Sequence, residues 1–179
     1  MDAQSPADSF IGKPPTGEYF VTTQPPDNPF IRQLSVSQLS VFFNDEPGQF
    51  NRVLKILADA EANVIGHLHS VSGKCRDIGV ARFIIKDCEG AKFLLENNCF
   101  LSCIGKVIIC KIPDKVGGFY KLLQIVPEDD MEYSYPLPSH YKGHVAMVFS
   151  PKNFDNATNA LNKAGMSILT SEDIFGALG

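Results

Sequence analysis

Two six-residue segments contain the residue types from which proteins build sites for small anions. Residues 45–50 read DEPGQF and residues 114–119 read DKVGGF, and each segment follows a strand-like run and precedes an apolar pattern of helical spacing. The first amide N–H groups of a helix lack intrahelical partners and carry partial positive charge, so such a turn is suited to a carboxylate. In the first segment, Pro47 suits the first helical turn, and Gly48 lets a ligand approach the backbone closely.

The first segment also offers a partner for a positive charge. We expect the N–H groups of Gly48, Gln49 and Phe50 to hold a carboxylate, while the Asp45 carboxylate accepts hydrogen bonds from an ammonium group. A zwitterion of amino-acid size would find both complements in one loop. The alternative is an ordinary turn, because Asp, Pro and Gly are also the residues that a strand-to-helix connection requires in any protein.

The two segments belong to an internal repeat. A shift of 69 residues aligns them and the strands before them, and beyond the first helix of each copy the shift falls to 66. After each turn, apolar residues recur at i, i+3, i+4 and i+7, which predicts a helix with one buried face. These residues are Phe50, Val53, Leu54 and Leu57 in the first copy and Phe119, Leu122, Leu123 and Val126 in the second.

The same six elements are predicted in each copy. The first copy has strand 38–43, helix 47–61, strands 64–71 and 78–85, helix 88–97 and strand 99–104; the second has strand 106–112, helix 116–126, strands 131–136 and 143–150, helix 153–164, strand 166–170 and a short tail. Right-handed crossovers on a βαββαβ order give an antiparallel sheet with both helices on one face. The predicted fold class is therefore α+β, a ferredoxin-like βαββαβ unit repeated twice. We divide the chain into a Pro-rich N-terminal arm (1–31), a first domain (32–104) and a second domain (105–179).

The predicted sheets leave apolar side chains without a cover. Phe42, Val107 and Ile109 fall on the face opposite the helices, so the two copies, a second chain or the arm should pack there. The arm contains half of the chain's 12 prolines, which argues against a regular element, yet its apolar residues indicate that part of it lies on the folded body.

The first copy resembles the start of an ACT domain. The stretch LSVFFNDEPGQFNRVLKILADAEANVIGH contains a strand, a D-x-P-G turn, an amphipathic helix and an Asn-hydrophobic pair, here Asp45, Pro47, Gly48, Asn63 and Val64. The second copy, VIICKIPDKVGGFYKLLQIV followed by MEYSY, looks like the second half of a tandem ACT-domain protein. Together the copies span about residues 36–172, nearly all of the chain outside the arm.

The resemblance implies a regulatory module that binds a small effector, most often an amino acid, at an interface between ACT domains. Val116 departs from the pattern, which has proline at that place, so the second turn matches less well. Dimers are expected because both edges of each sheet need partners or protection. The positions that the resemblance implies for ligand binding are Asp45, Glu46, Pro47, Gly48, Gln49, Phe50, Asn63 and Val64 in the first copy and Asp114, Gly117, Gly118 and Phe119 in the second.

Composition and motifs argue against several other classes of protein. The formal net charge of −4 and the lack of sheet aromatics disfavour a nucleic-acid-binding protein. No long apolar run or signal-peptide pattern is present, so we expect a cytoplasmic protein without a membrane partner. No phosphate-binding loop or catalytic set of residues is apparent, so we expect neither enzymatic activity nor a cofactor.

A metal site is not favoured either. The five cysteines (75, 88, 99, 103 and 110) form no CxxC pair, which indicates reduced thiols and not a disulfide or zinc framework. His67 and His69 share one face of a predicted strand, as two metal ligands would, but no third ligand is evident.

Two functions follow from these observations. The first is a regulatory sensor that binds an amino acid at a domain or subunit interface. The alternative is an interaction subunit without a ligand, which docks on an enzyme or a transcription factor through its exposed sheet face and its arm.

Overall fold

The computed structural model describes residues 28–71, 78–138 and 141–176. The strands are β1 (Val36–Asn44), β2 (Gly66–Val71), β3 (Ile78–Ile84), β4 (Leu101–Pro113), β5 (Met131–Leu137), β6 (His144–Pro151) and β7 (Ile168–Leu169). The helices are α1 (Pro29–Gln33), α2 (Gln49–Asp59), α3 (Cys88–Asn97), α4 (Gly118–Ile125), α5 (Phe154–Lys163) and α6 (Ser171–Phe175). Within these ranges no helix combines the length and apolarity that a membrane crossing requires.

The strand order confirms two ferredoxin-like repeats. Antiparallel neighbours run β2-β3-β1-β4-β6-β5, and β7 pairs with β4. The first repeat is therefore β1-α2-β2-β3-α3-β4, and the second is β4-α4-β5-β6-α5-β7. Both contain the expected crossovers, with a helix between the first and second strand and another between the third and fourth.

β4 belongs to both repeats. Its residues 101–107 pair with β1 and its residues 108–113 pair with β6. The separate strands predicted at 99–104 and 106–112 are thus one strand of 13 residues, because Gly105 and Lys106 continue the extended backbone and the pairing with β1. The division that we propose between residues 104 and 105 lies inside this strand.

Each repeat has its own core between the sheet and its helices. In the first repeat, Leu39, Val41 and Phe43 of β1 pack with the buried faces of α2 and α3. In the second, Ile108, Cys110 and Ile112 of β4 pack with α4 and α5. The regular spacing of apolar residues on both element types explains why periodicity alone located these helices and strands.

A third core joins the two repeats through the sheet faces that carry no helix. Val36 and Ile84 of the first repeat pack with Val107, Ile109 and residues of β5 and β6, and the outer strands β2 and β5 contact each other. Of the covers predicted for this face, the two repeats therefore bury Val107 and Ile109 against each other. Phe42 is not part of this core and is half-buried.

Both ends of the described chain contain a short helix that was not predicted. α1 begins at Pro29, although the prolines predict no regular element up to residue 31. Asn28 caps it by accepting a hydrogen bond from the Phe30 N–H at 3.0 Å, and proline at the first helical position needs no N–H partner. Ile31 is buried among the α4 and α5 side chains. The predicted arm residues 1–27 lie outside the described residues.

The predicted tail after strand 166–170 is the helix α6. Thr170 and Asp173 form a reciprocal capping box, in which the Thr170 hydroxyl accepts from the Asp173 N–H and the Asp173 carboxylate accepts from the Thr170 N–H. The Thr170 hydroxyl also donates to the Asp173 carboxylate, and the bonds from the Thr170 N–H, first, and from this hydroxyl lower the pKa of Asp173. Ile174 and Phe175 of α6 pack into the core between the repeats.

Candidate functional site

The first predicted turn is a β-turn over residues 46–49. The Gln49 N–H donates to the Glu46 carbonyl at 3.2 Å, and Gly48 has φ 93° and ψ −17°. This combination, with proline in the second position and a positive φ in the third, is that of a type II turn. Pro47 therefore lies in the turn and α2 begins at Gln49, two residues later than predicted.

The second predicted turn has the same geometry. The Gly118 N–H donates to the Lys115 carbonyl at 2.9 Å, and Gly117 has φ 79° and ψ 4°. Val116 takes the place of the proline without altering the turn. Gly118 itself comes so close to the Pro113 carbonyl oxygen that a Cβ would collide with it. The repeat seen in the sequence therefore extends to the individual hydrogen bonds of the turns.

The two turns leave matching backbone donors open. Within the described residues, the N–H groups of Gly48 and Phe50 have no hydrogen-bond partner, and the same is true of Gly117 and Phe119. The Gln49 N–H, expected to hold a carboxylate, is instead used inside the turn. Each turn thus leaves two N–H groups unbonded at the start of a helix, where the helix dipole favours an anion.

Carboxylates lie beside the open donors. Asp45 and Glu46 are exposed in the first turn, and Asp114 is exposed in the second. None of the three forms an ion pair within the described residues. Their oxygens are therefore available as acceptors for an ammonium group.

Asn63 and Val64 do not join this site. α2 separates them from the first turn by its full length of 11 residues, which corresponds to about 16 Å. They lie before β2, at the end of the sheet where β1 begins, whereas the turn lies where β1 ends. Within one chain, the structure therefore brings together residues 45–50 but not residues 63–64.

The two turns are also distant from each other. The first follows β1 next to the start of β4, because Phe42 pairs with Leu101, and the second follows the end of β4. A strand of this length spans roughly 40 Å. One chain therefore cannot form a shared pocket from both turns.

Phe50 contributes only its backbone to the turn. Its ring stacks on His69 with centroids 4.7 Å apart and lies 6.2 Å from the Phe43 ring. His67 is 5.9 Å from the same ring, so the two histidines that share a face of β2 flank an aromatic side chain. No group of three metal-ligating side chains occurs among the described residues.

The described cysteines include two deeply buried thiols. Desolvation by burial raises the pKa of Cys88 to about 11 and that of Cys110 to about 12. Both thiols are therefore protonated at neutral pH and are poor nucleophiles and poor metal ligands. Cys75 lies outside the described residues.

A cleft that the sequence did not indicate lies between the repeats. It has a volume of about 380 Å³ and is lined by Ser37, Ile85, Lys86, Ser171, Glu172, Phe175 and Gly176. Ser37 lies near the start of β1, and Ile85 and Lys86 follow β3, whereas the other four residues belong to α6 and its end. The sequence contains a signal for α6, the threonine and aspartate of its capping box, but no signal for the approach of α6 to the first repeat.

Comparisons with known proteins agree with this architecture. The family model described as ACT domain pair matches residues 34–177. Protein BT0572 from Bacteroides thetaiotaomicron is 24% identical with a TM-score of 0.69, over 79% of this chain and 96% of that one. The regulatory subunit of aspartate kinase from Thermus flavus is 18% identical with a TM-score of 0.51, over 72% of this chain and 91% of that one. The ligand-free regulatory subunit from Thermus thermophilus is 16% identical with a TM-score of 0.53, over the same shares. At these identities the solved structures show the fold alone, and no curated protein matches this chain.

Proposed function

This chain belongs to the ACT domain family as an ACT domain pair, and from that premise we propose that it is a non-catalytic regulatory protein that binds a free amino acid. Binding would act through the packing of the two domains, 32–104 and 105–179, against each other and against a partner. Two solved structures with this fold are regulatory subunits of aspartate kinase, which supports a regulatory role and an enzyme as the regulated partner. We place the protein in the cytoplasm because its cysteines show no disulfide or zinc spacing.

The observation that carries the proposal is the first turn. It presents the open N–H groups of Gly48 and Phe50 at the start of an 11-residue helix, with the free carboxylates of Asp45 and Glu46 beside them. The N–H groups are complementary to a carboxylate and the side chains to an ammonium group. These are the two charged groups that every free amino acid carries. The second turn repeats the donors but has Lys115 in place of Glu46, so we assign the effector to the first.

Charge neutralisation at Asp45 tests this placement. Each of the twenty amino acids is added to the full chain at about 5 mM, and a ligand that binds only the folded state raises the melting temperature. For an amino acid that gives a shift, we expect Asp45→Asn to weaken binding by about tenfold in calorimetry, because a charge-assisted hydrogen bond is lost.

Asp114→Asn is the matched control for that experiment, since it makes the same change in the equivalent turn. It should leave the affinity unchanged. An amino acid that binds both variants as tightly as the unmodified chain would show that the first turn is not its site. Gly48→Trp is a less clean variant, because the positive φ of Gly48 strains any side chain there.

A homodimer would cover the exposed turn. β4 pairs with β1 along residues 101–107, and within the described residues no strand lies on its other edge there. Exposed apolar side chains lie nearby: Leu101 is 57% exposed at the start of β4, and Phe93 is 65% exposed on α3, which packs against β4. An open strand edge beside apolar surface favours pairing with another chain. A second copy would also be the only source of Asn63 and Val64 near the turn.

Sedimentation measures the dimer directly. At micromolar concentration we expect the full chain to sediment as a dimer and Leu101→Arg to sediment as a monomer, because the charge would replace apolar surface on the sheet face beside the paired edge. Val71→Arg is the matched control, since Val71 is 45% exposed on the outer strand β2. A monomeric unmodified chain, or a dimer that only Val71→Arg disrupts, would contradict pairing through β4.

The same apolar edge favours the second candidate function, an interaction subunit without a ligand. In that case the edge of β4 would dock on the regulated protein instead of on a second copy. Three results together would favour this alternative. No amino acid would raise the melting temperature, the unmodified chain would sediment as a monomer, and Leu101→Arg would remain folded.

A further inference from the structure

The cleft between the repeats has the size of a ligand site and is open to solvent, since Lys86, Ser171 and Glu172 are exposed. Its volume of about 380 Å³ falls at the lower end of the roughly 300–1,000 Å³ that small-molecule pockets occupy. Both repeats contribute to it, because Ser37, Ile85 and Lys86 belong to the first and Ser171–Gly176 to the second. A ligand there would contact two parts of the chain that are otherwise joined by β4 and the core between the repeats.

Opposite charges face this cleft without neutralising each other. Lys86 comes from the first repeat and Glu172 from the second. Among the described residues the ion pairs are Lys55–Asp59 and Lys92–Glu96, so Lys86 and Glu172 are more than 4 Å apart and neither is paired elsewhere. An ammonium group on one wall and a carboxylate on the other are the complements of a molecule with both charges.

The remaining lining residues add donors and an apolar surface. The Ser37 hydroxyl accepts a hydrogen bond from Lys106 Nζ at 2.9 Å, which leaves its own hydrogen free to donate. Ser171 brings a second hydroxyl, and Ile85 and Phe175 provide apolar contacts. The cleft therefore matches a small molecule with a carboxylate, an ammonium group and a short uncharged side chain.

The cleft is separate from both predicted turns. Ser37 lies near the start of β1 and the first turn follows its end, about 25 Å away along the strand. Lys106 pairs with Ser37 and lies seven residues before the end of β4, so the second turn is also more than about 20 Å away. A molecule in the cleft cannot touch either turn.

We propose that this cleft binds a small zwitterion, a free α-amino acid with a short uncharged side chain, whose carboxylate contacts Lys86 and Ser37 and whose ammonium group contacts Glu172. The bound molecule bridges α6 and the first repeat. It thereby holds α6 against the first repeat and stabilises the packing of one repeat on the other. This inference goes beyond the effector placed at the first turn and does not depend on it.

Calorimetry with the full chain tests the proposal. The probes are glycine, alanine, serine and threonine, together with the N-acetyl and the amide derivative of each. We expect at least one free amino acid to bind, each derivative to bind about tenfold more weakly because it lacks one charge, and Lys86→Gln and Glu172→Gln each to weaken the free amino acid by about tenfold. Lys152→Gln and Glu128→Gln are matched controls, since both residues are exposed and lie outside the cleft.

The outcomes separate the cleft from the first turn. Loss of binding in Lys86→Gln and Glu172→Gln, with Asp45→Asn unaffected, supports the cleft and contradicts the turn as the site of that amino acid. Loss in Asp45→Asn alone supports the turn and overturns the cleft. Binding that all of these variants retain, or no binding of any of the four amino acids, also overturns the cleft proposal. Slower amide exchange at residues 171–176 on addition of the amino acid would independently locate it there.

Discussion

Gly118→Ala is expected to lower the free energy of unfolding by about 2–3 kcal/mol, because the new methyl group collides with a backbone atom and not with a side chain that can rotate away. The atom is the Pro113 carbonyl oxygen, at the other end of the second turn. To make room, the turn must open and α4 must move away from β4. Urea unfolding of the full chain measures the loss.

The first turn provides the control for this substitution. Gln49 occupies the position that corresponds to Gly118 and already carries a Cβ, so Gln49→Ala should change stability by less than about 0.5 kcal/mol. The two turns have the same internal hydrogen bonds, so a large difference between the variants isolates the close approach at Pro113. Equal effects would mean that the second turn is as open as the first.

Gln38→Ala is expected to lower the free energy of unfolding by about 2–3 kcal/mol, because it leaves buried polar groups without hydrogen-bond partners. Gln38 is only 1% exposed; its Nε2 donates to Tyr133 Oη at 2.6 Å, and its Oε1 accepts from Tyr135 Oη at 2.7 Å. Gln38 belongs to the first repeat and both tyrosines to the second. Burial raises the pKa of Tyr135, so its hydroxyl stays protonated and needs an acceptor.

A double-mutant cycle shows whether this cost comes from the contact between repeats. In a Tyr135→Phe background, Gln38→Ala should lower the free energy of unfolding by at least about 1 kcal/mol less than in the unmodified chain. The reason is that the Tyr135 hydroxyl, which Gln38→Ala would leave without an acceptor, is absent there. Gln124→Ala, which removes an exposed glutamine from α4, is the control and should be nearly neutral. Additive effects of the two substitutions would argue against coupling of the repeats through Gln38.

The sequence predicted the elements because each carries its own periodic signal. Alternating Leu39, Val41 and Phe43 indicated a strand, and the stripe from Phe50 to Leu57 indicated a helix. Two short helices were missed although local signals for both exist: an asparagine followed by proline before α1, and a threonine three residues before an aspartate in α6. The first signal lies in a proline-rich segment and the second in a short segment after the last predicted strand, and neither composition favours a helix.

Packing of the two copies on each other was among the predicted covers, but the individual contacts between them could not be predicted, because they depend on how the two halves of the sheet lie against each other. Nothing local to Gln38 indicates that two tyrosines about 95 residues later will be its partners. The same applies to the cleft, which forms only because α6 returns to the first repeat. The site residues of the first turn are contiguous and were found together, whereas Asn63 and Val64 were grouped with them by resemblance and lie at the other end of α2.

The shared strand β4 limits how this duplicated chain can vary in length. In both repeats its even-numbered side chains face the helices, as Ile104 and Ile108 do, whereas Val107 and Ile109 face the opposite repeat. The alternation of side chains between the two sheet faces thus continues from one domain into the other, with no linker residues between them. Insertion or deletion of a single residue in β4 would move the side chains of its second half to the opposite face of the sheet, so that residues now facing α4 and α5 would face the first repeat. The junction between domains, usually the most tolerant place for such changes, is here among the least tolerant.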